Sequence, residues 1–279
     1  MTIVLDLWPA LSELATGIFR TALLQGRQYL VVTGIFLALY WWLSLAVGGN
    51  AKLQAKQIAQ SQVRRELLYS LFSIVIFASI MPLLFALGLG QYMRFYKDVD
   101  TYGWPYLFLS IILMMIIQDT YFYWTHRLMH RRSLFRLLHR THHLSSNPNP
   151  LSTYSIDPLE ALINYGAILI ILFLIPTTGL SLFIFSWLNV SYAVYAHLGY
   201  EIFPRSITQH WFGRWINTSM AHNRHHANAR YNFGWYFLFW DRMMGTLAPD
   251  YAAQPQAGAT AAHRPEVVPE QAVDGGAVR

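Results

Sequence analysis

The sequence contains no cysteine. That excludes disulfides, thiolate zinc sites, haem–thiolate chemistry and cysteine-ligated iron–sulfur clusters. Charge is also scarce. Charged residues make up 12% of the 279 residues, while hydrophobic residues make up 54%. A soluble domain carries about a quarter charged residues, so the shortfall demands a large buried or lipid-facing surface. The N-terminus lacks the positive start of a cleaved signal peptide, and Asp6 and Glu13 interrupt its apolar stretch. No nucleic-acid motif accompanies the net charge of +6. In a membrane chain such an excess belongs to loops near anionic lipid, so no nucleic-acid partner is expected.

What is present is a series of long apolar runs. They cover roughly 28–48, 67–91, 104–124, 160–178 and 180–200. A membrane span needs about 20 apolar residues, so five spans are expected, the last two forming a tight hairpin around Pro176 to Leu180. Residues 3–25 read as an interfacial amphipathic helix, with Val4, Leu7, Leu11, Leu14 and Ile18 near one stripe. The expected organisation is an N-terminal interfacial helix over 1–27, a membrane-embedded domain over 28–251 and a disordered tail over 252–279 rich in Ala, Pro, Gly and charge. The fold class is all-α: a membrane helical bundle with a helical cap.

Five spans place three basic segments on one side. These are Lys52, Lys56, Arg64 and Arg65; Arg127 to Arg140; and Arg205 to Arg230. Arg20, Arg27, Arg94 and Lys97 fall on the other. The positive-inside rule makes the basic side cytoplasmic.

The histidines lie in the basic segments. Ten of the eleven fall between 126 and 226. His126 and His130 form HRLMH; His139, His142 and His143 form HRTHH; His222, His225 and His226 form HNRHH. On a helix, offsets of three and four stack the rings on one face. Neutral imidazole suits iron, zinc or copper. Three such faces meeting at one membrane surface could hold two metal ions with about four nitrogens each. A lone histidine is usually no ligand, and one HxxHH could be a pH-sensitive surface patch. Three clusters on one membrane face fit metal binding far better.

With HRLMH, HRTHH, an apolar hairpin and then HNRHH, the chain resembles the fatty acid hydroxylase and sterol desaturase superfamily over roughly 104–248. The stretches Asn232-Phe233-Gly234 and Trp240-Asp241-Arg242 fit its region after the last cluster, and Ile216 to Thr246 looks closest to sterol C5-desaturases. The resemblance implies a pair of iron ions that activates dioxygen to hydroxylate or desaturate an unactivated C–H bond of a lipid, sterol-like or fatty-acyl. Carried over by position, the ligands are His126, His130, His139, His142, His143, His222, His225 and His226, with His197 as the ninth. Zinc is a possible substitute, since it outranks ferrous iron in affinity. No cytochrome b5-like or flavin segment is visible. A separate donor of cytochrome b5, ferredoxin or flavoprotein type is therefore expected, and the location implied is a bacterial inner membrane.

Asp119, Tyr123 and Asp241 are candidates for supporting the ligands. Asp119 precedes His126 by two turns and sits in an apolar run, where a carboxylate is costly. It would orient a ligand ring or pair with an arginine. Asp241 would orient a ligand or bridge Arg242. Asp157 and Glu160 read as helix-start charges. His210 reads as a surface or supporting residue, and His263 belongs to the tail. Two rival functions remain at this stage: a zinc-dependent membrane hydrolase, active without oxygen, and a non-catalytic metal-binding or transport protein. Transporters hold ligands at mid-membrane depth, whereas these clusters lie beyond the span ends.

Overall fold

The computed structural model describes residues 2–46, 52–54, 57–208, 210–249 and 251. Among them are α1 (Thr2–Ala46), α2 (Gln60–Ala86), α3 (Gly103–Met129), α4 (Arg132–Leu138), α5 (Arg140–His143), α6 (Pro158–Leu174), α7 (Gly179–Ala196), α8 (Arg205–Thr208), α9 (Ser219–Ala227) and α10 (Phe239–Met243). Strand pairing among the described residues is limited to isolated bridges such as Lys52 with Tyr200. Among the described residues, four helices are long and apolar enough to cross a membrane: Trp8–Ala46, Gln60–Ala86, Gly103–Met129 and Gly179–Ala196. Pro158–Leu174 is apolar but shorter. The expected tail, Lys56 and His263 lie outside the described residues.

The helix ends follow local chemistry. Pro158 opens α6 at a position where its missing N–H costs nothing. Thr178 caps α7, its hydroxyl accepting from Ser181 N while Ser181 Oγ accepts from Thr178 N. Gly166 lets α3 and α6 approach closely, because an added Cβ would collide with the Tyr121 hydroxyl. That hydroxyl donates to Ile163 O at 2.8 Å.

The connections sort to two ends. At one end Leu53 N donates to Gly199 O (3.0 Å), Gln54 Nε2 to Asn223 Oδ1 (2.9 Å) and Arg65 to Leu144 O (2.8 Å). At the other, Arg94 N donates to Leu172 O (2.8 Å) and Tyr96 N to Thr177 O (3.0 Å). All three histidine boxes belong to the first end.

The expected interfacial helix and the first expected span are continuous in the structure. The backbone has no break at residue 27: α1 is one helix of 45 residues, about 67 Å long. The apolar pattern continues across Gly26, and Leu23, Leu24 and Leu30 are all exposed on its outer surface. Arg20 and Arg27 therefore do not lie beyond the bundle. Gly17 packs on Pro82 of α2, and the Tyr29 hydroxyl meets Ser70 Oγ at 3.2 Å. The two arginines lie along α1 between those levels, exposed.

Candidate metal centre

His126 ends α3, and His130 caps it. His222, His225 and His226 lie on α9, whose first turn is held by Thr218 Oγ1 accepting from Ala221 N. Glu201 braces the same turn, its Oε2 accepting from Met220 N at 3.1 Å. The middle box is not one helix. His139 has φ −138° and separates α4 from the short α5. His139 and His143, four residues apart, fall in one group and His142 in another.

The first group is His126, His130, His139, His143 and His225; the second is His142, His197, His222 and His226. Within each, one nitrogen per ring lies within 4.8 Å of all the others. All nine candidates are thus brought together, His197 included, but as five and four and with the boxes mixed. His210 is exposed and lies in neither group.

The inner nitrogens are Nε2 atoms at close range. His126 and His139 are 3.0 Å apart, His130 and His225 3.0 Å, and His197 and His222 2.9 Å. The outer nitrogens of several rings meet acceptors: His126 Nδ1 donates to Phe233 O (3.0 Å), His197 Nδ1 to Ala193 O (2.8 Å) and His225 Nδ1 to Tyr231 O (2.7 Å). A carbonyl oxygen accepts only, so the proton resides on Nδ1 and the Nε2 lone pair faces inward. Bare nitrogens turned toward one another are unfavourable unless a cation lies between them. This donor set fits a metal pair.

Electrostatics point the same way. Burial lowers His197 and His225 to about 4. Burial, then neighbouring imidazoles, hold His130, His142, His143, His222 and His226 well below the usual range. Near neutral pH the rings are neutral and ready to ligate.

The three supporting candidates act on a loop, not on a ring. Asp119 Oδ1 accepts from Tyr236 N (2.7 Å) and Phe237 N (3.0 Å). Among the described residues it hydrogen-bonds neither a histidine nor an arginine, in place of the two partners expected for it. Asp241 Oδ1 accepts from Phe233 N (2.9 Å) and Oδ2 from Gly234 N (2.8 Å). It does not bridge Arg242, which instead donates to Arg214 O. The Tyr123 hydroxyl meets Thr246 Oγ1 at 2.9 Å, and Thr246 donates to Asp241 at 2.7 Å. All three side chains therefore fix the segment whose Phe233 carbonyl orients His126. Gly234 is required there, because a Cβ would run into Phe237 O and Asp241. Asn232, at φ 60°, turns the chain into this segment; asparagine tolerates that left-handed conformation.

One residue read as a helix-start charge belongs to the site. Glu160 Oε1 lies 2.8 Å from His139 Nδ1, both side chains being buried, though the approach is off the line of the ring N–H. A buried carboxylate one turn into an apolar helix was the available signal, the same one that singled out Asp119.

A family model described as fatty acid hydroxylase matches residues 111–246. The chain is 29% identical over 235 residues to a lathosterol oxidase of Rattus norvegicus, covering 80% of this chain and 75% of the relative. It is 28% identical over 229 residues to a Delta(7)-sterol 5(6)-desaturase of Gibberella zeae, covering 80% and 69%. The chain belongs to the fatty acid hydroxylase and sterol desaturase superfamily. This superfamily member is a membrane oxidoreductase of the lipid hydroxylase and desaturase class. A Delta(7)-sterol 5(6)-desaturase of Aspergillus fumigatus is 31% identical over 218 residues, covering 70% of this chain and 66% of the relative. No solved structure matches.

Proposed function

We propose that the two histidine groups each hold one iron ion and that the enzyme oxidises a sterol-like or fatty-acyl lipid at an unactivated C–H bond. The observation that carries this is the set of inward Nε2 atoms, with the outer nitrogens of His126, His197 and His225 fixed on carbonyls. When bound, the iron pair supplies the redox chemistry that acid–base groups cannot, activation of dioxygen. Hydroxylation consumes the C–H bond, dioxygen, two electrons and two protons, and yields an alcohol and water. Desaturation draws on the same inputs, removes two hydrogens from adjacent carbons and yields two waters.

The chain's own residues orient and exclude. Ala193 O, Tyr231 O and Phe233 O set the tautomers of three ligands. Burial of the four-histidine group excludes water from one metal position. The histidine end, which carries the basic segments, faces the cytoplasm. Zinc would occupy the same donors on overexpression.

The test is elemental analysis of the purified protein alongside lipid profiling of cells with and without the gene, aerobically and anaerobically. Two irons per chain and an oxygen-dependent lipid product are expected. One ion or fewer in folded protein, or a product formed without oxygen, refutes the proposal. Reporter fusions after residues 60, 145 and 230 test the face; an extracytoplasmic signal from either of the last two overturns it.

A further inference from the structure

The charges at the histidine end are sorted by burial. Its carboxylates Glu66, Glu160, Glu201 and Asp241 are buried, and the half-buried Asp157 is occupied by Thr141, whose N and Oγ1 donate to it at 3.1 and 2.7 Å. Among the described residues, the exposed charges there are cationic. Arg131, Arg132, Arg136 and Arg140 are all exposed, and none makes an ion pair among the described residues. The opposite end differs: Arg94 and Lys97 are exposed together with Asp98 and Asp100.

The four arginines flank the part of the site nearest water. Of the nine histidines, His130 and His143 are the two that are not fully buried. Phe135 of α4 covers both, its ring centroid 5.4 Å from that of His130 and 5.5 Å from that of His143. Phe135 is itself half-buried. It adjoins Arg136 and lies one turn from Arg132, and Leu137 beside it is 59% exposed. Phe135 thus packs on two rings of the five-histidine group, beside the exposed Leu137 and the exposed arginines.

We propose that this α4–α5 ridge is the docking face for a small acidic one-electron carrier protein, and that electrons enter at His130 and His143. The proposal rests on the oxygenase reading above, which requires two electrons per turnover. Each encounter oxidises the carrier by one electron and reduces the metal centre by one, so two encounters serve one turnover. Opposite charge raises the encounter rate and selects the partner. An anionic bilayer would also attract arginines. The arginines surround Phe135, the ring packed on the two partly exposed histidines, and this position favours a redox carrier.

The experiment uses full-length, iron-loaded protein in nanodiscs of zwitterionic lipid. The probes are the reduced soluble domain of a cytochrome b5 and a reduced plant-type ferredoxin, both acidic. Binding and reoxidation are followed against ionic strength for wild type, for Arg132→Gln/Arg136→Gln/Arg140→Gln, and for the control Arg94→Gln/Lys97→Gln. In parallel, a small uncharged mediator reduces the metal directly. The triple variant should lose on the order of 10-fold or more in carrier association at low salt and lose its salt dependence. The control and the mediator arm should not change. Equal association of wild type and triple variant with both carriers, or equal loss in the control, overturns the docking face. A defect of the triple variant seen only in nanodiscs containing anionic lipid also overturns it and assigns the ridge to headgroups. Iron that the mediator cannot reduce, with carrier binding intact, refutes the oxygenase reading instead.

Discussion

His139 Nδ1 and Glu160 Oε1 lie 2.8 Å apart in a region closed to water. A carboxylate behind a ligating ring fixes the ring's orientation and raises its basicity, and loss of such a partner typically costs about 10–100-fold in metal affinity or activity. Glu160→Gln should therefore fold, insert and release metal to a chelator more readily by that factor. Metal content after timed dialysis measures it. Retention equal to wild type would show that the pairing is purely structural.

The two groups share the HRTHH and HNRHH boxes but no residue, so their ligands should be separable. His142→Ala removes a member of the four-histidine group, and His225→Ala a member of the five-histidine group. Each should abolish turnover, and His142→Ala should deplete one metal position selectively, because its group retains three nitrogens while the other keeps all five. His263→Ala should change neither metal nor activity. Elemental analysis and spectroscopy of the remaining ion distinguish the positions. Half of wild-type activity in His142→Ala would remove that ring from the ligand set.

Asp119 holds two backbone N–H groups with one oxygen while only 3% exposed. Asp119→Ala strands both donors, at about 1–3 kcal/mol each. Asp119→Asn keeps an acceptor and should cost less. Thermal unfolding should rank wild type above Asn above Ala. Metal affinity should fall only as the Phe233 carbonyl shifts, that is, less than in Glu160→Gln. A larger metal loss in Asp119→Asn than in Glu160→Gln would mean that this carboxylate senses the metals directly.

The histidine boxes, the apolar hairpin and the two-ended arrangement were legible in the sequence, because residue type and spacing encode them. Three features were not. The break at His139 depends on φ at one residue, and nothing in Leu138-His139-Arg140 marks it. The acceptors for His126, His197 and His225 are backbone carbonyls, which have no side-chain signature. Glu160 was visible, but an acidic residue near a helix start has an ordinary explanation in the helix dipole, and only the contact with His139 distinguishes the two. Asp119 stood out as a carboxylate in an apolar run, but its partners were unforeseen because residues 236 and 237 reach it across the fold.

In metal-free protein two of the histidines contribute a pH dependence of definite sign. His197 and His225 titrate near 4 in the fold, against an ordinary value of 6.5. Between those values the unfolded chain binds more protons, so stability falls as pH drops from about 6.5 toward 4. Above 6.5 these rings are neutral in both states and contribute no slope. Thermal scans of chelated protein from pH 8 to about 4 should show a plateau and then a decline. A decline beginning well above 7 would show that other groups control it.

α6 and α7 contain 17 and 18 residues, while α2 and α3 contain 27 each. At 1.5 Å per residue the short pair spans about 26 Å, less than the ~30 Å of a typical hydrocarbon core, whereas the long pair spans about 40 Å. The far end of the hairpin is closed by the segment from Arg94 to Tyr96, so the short pair would match a thinner hydrocarbon layer than the long pair. Hydrophobic mismatch of this kind is relieved by thinning the adjacent bilayer. The helices under that tension begin close to Glu160 and end at His197. Lengthening the host lipid's acyl chains should therefore loosen the metal centre from the membrane side, and chelator release in short-chain against long-chain phosphatidylcholine bilayers would register it.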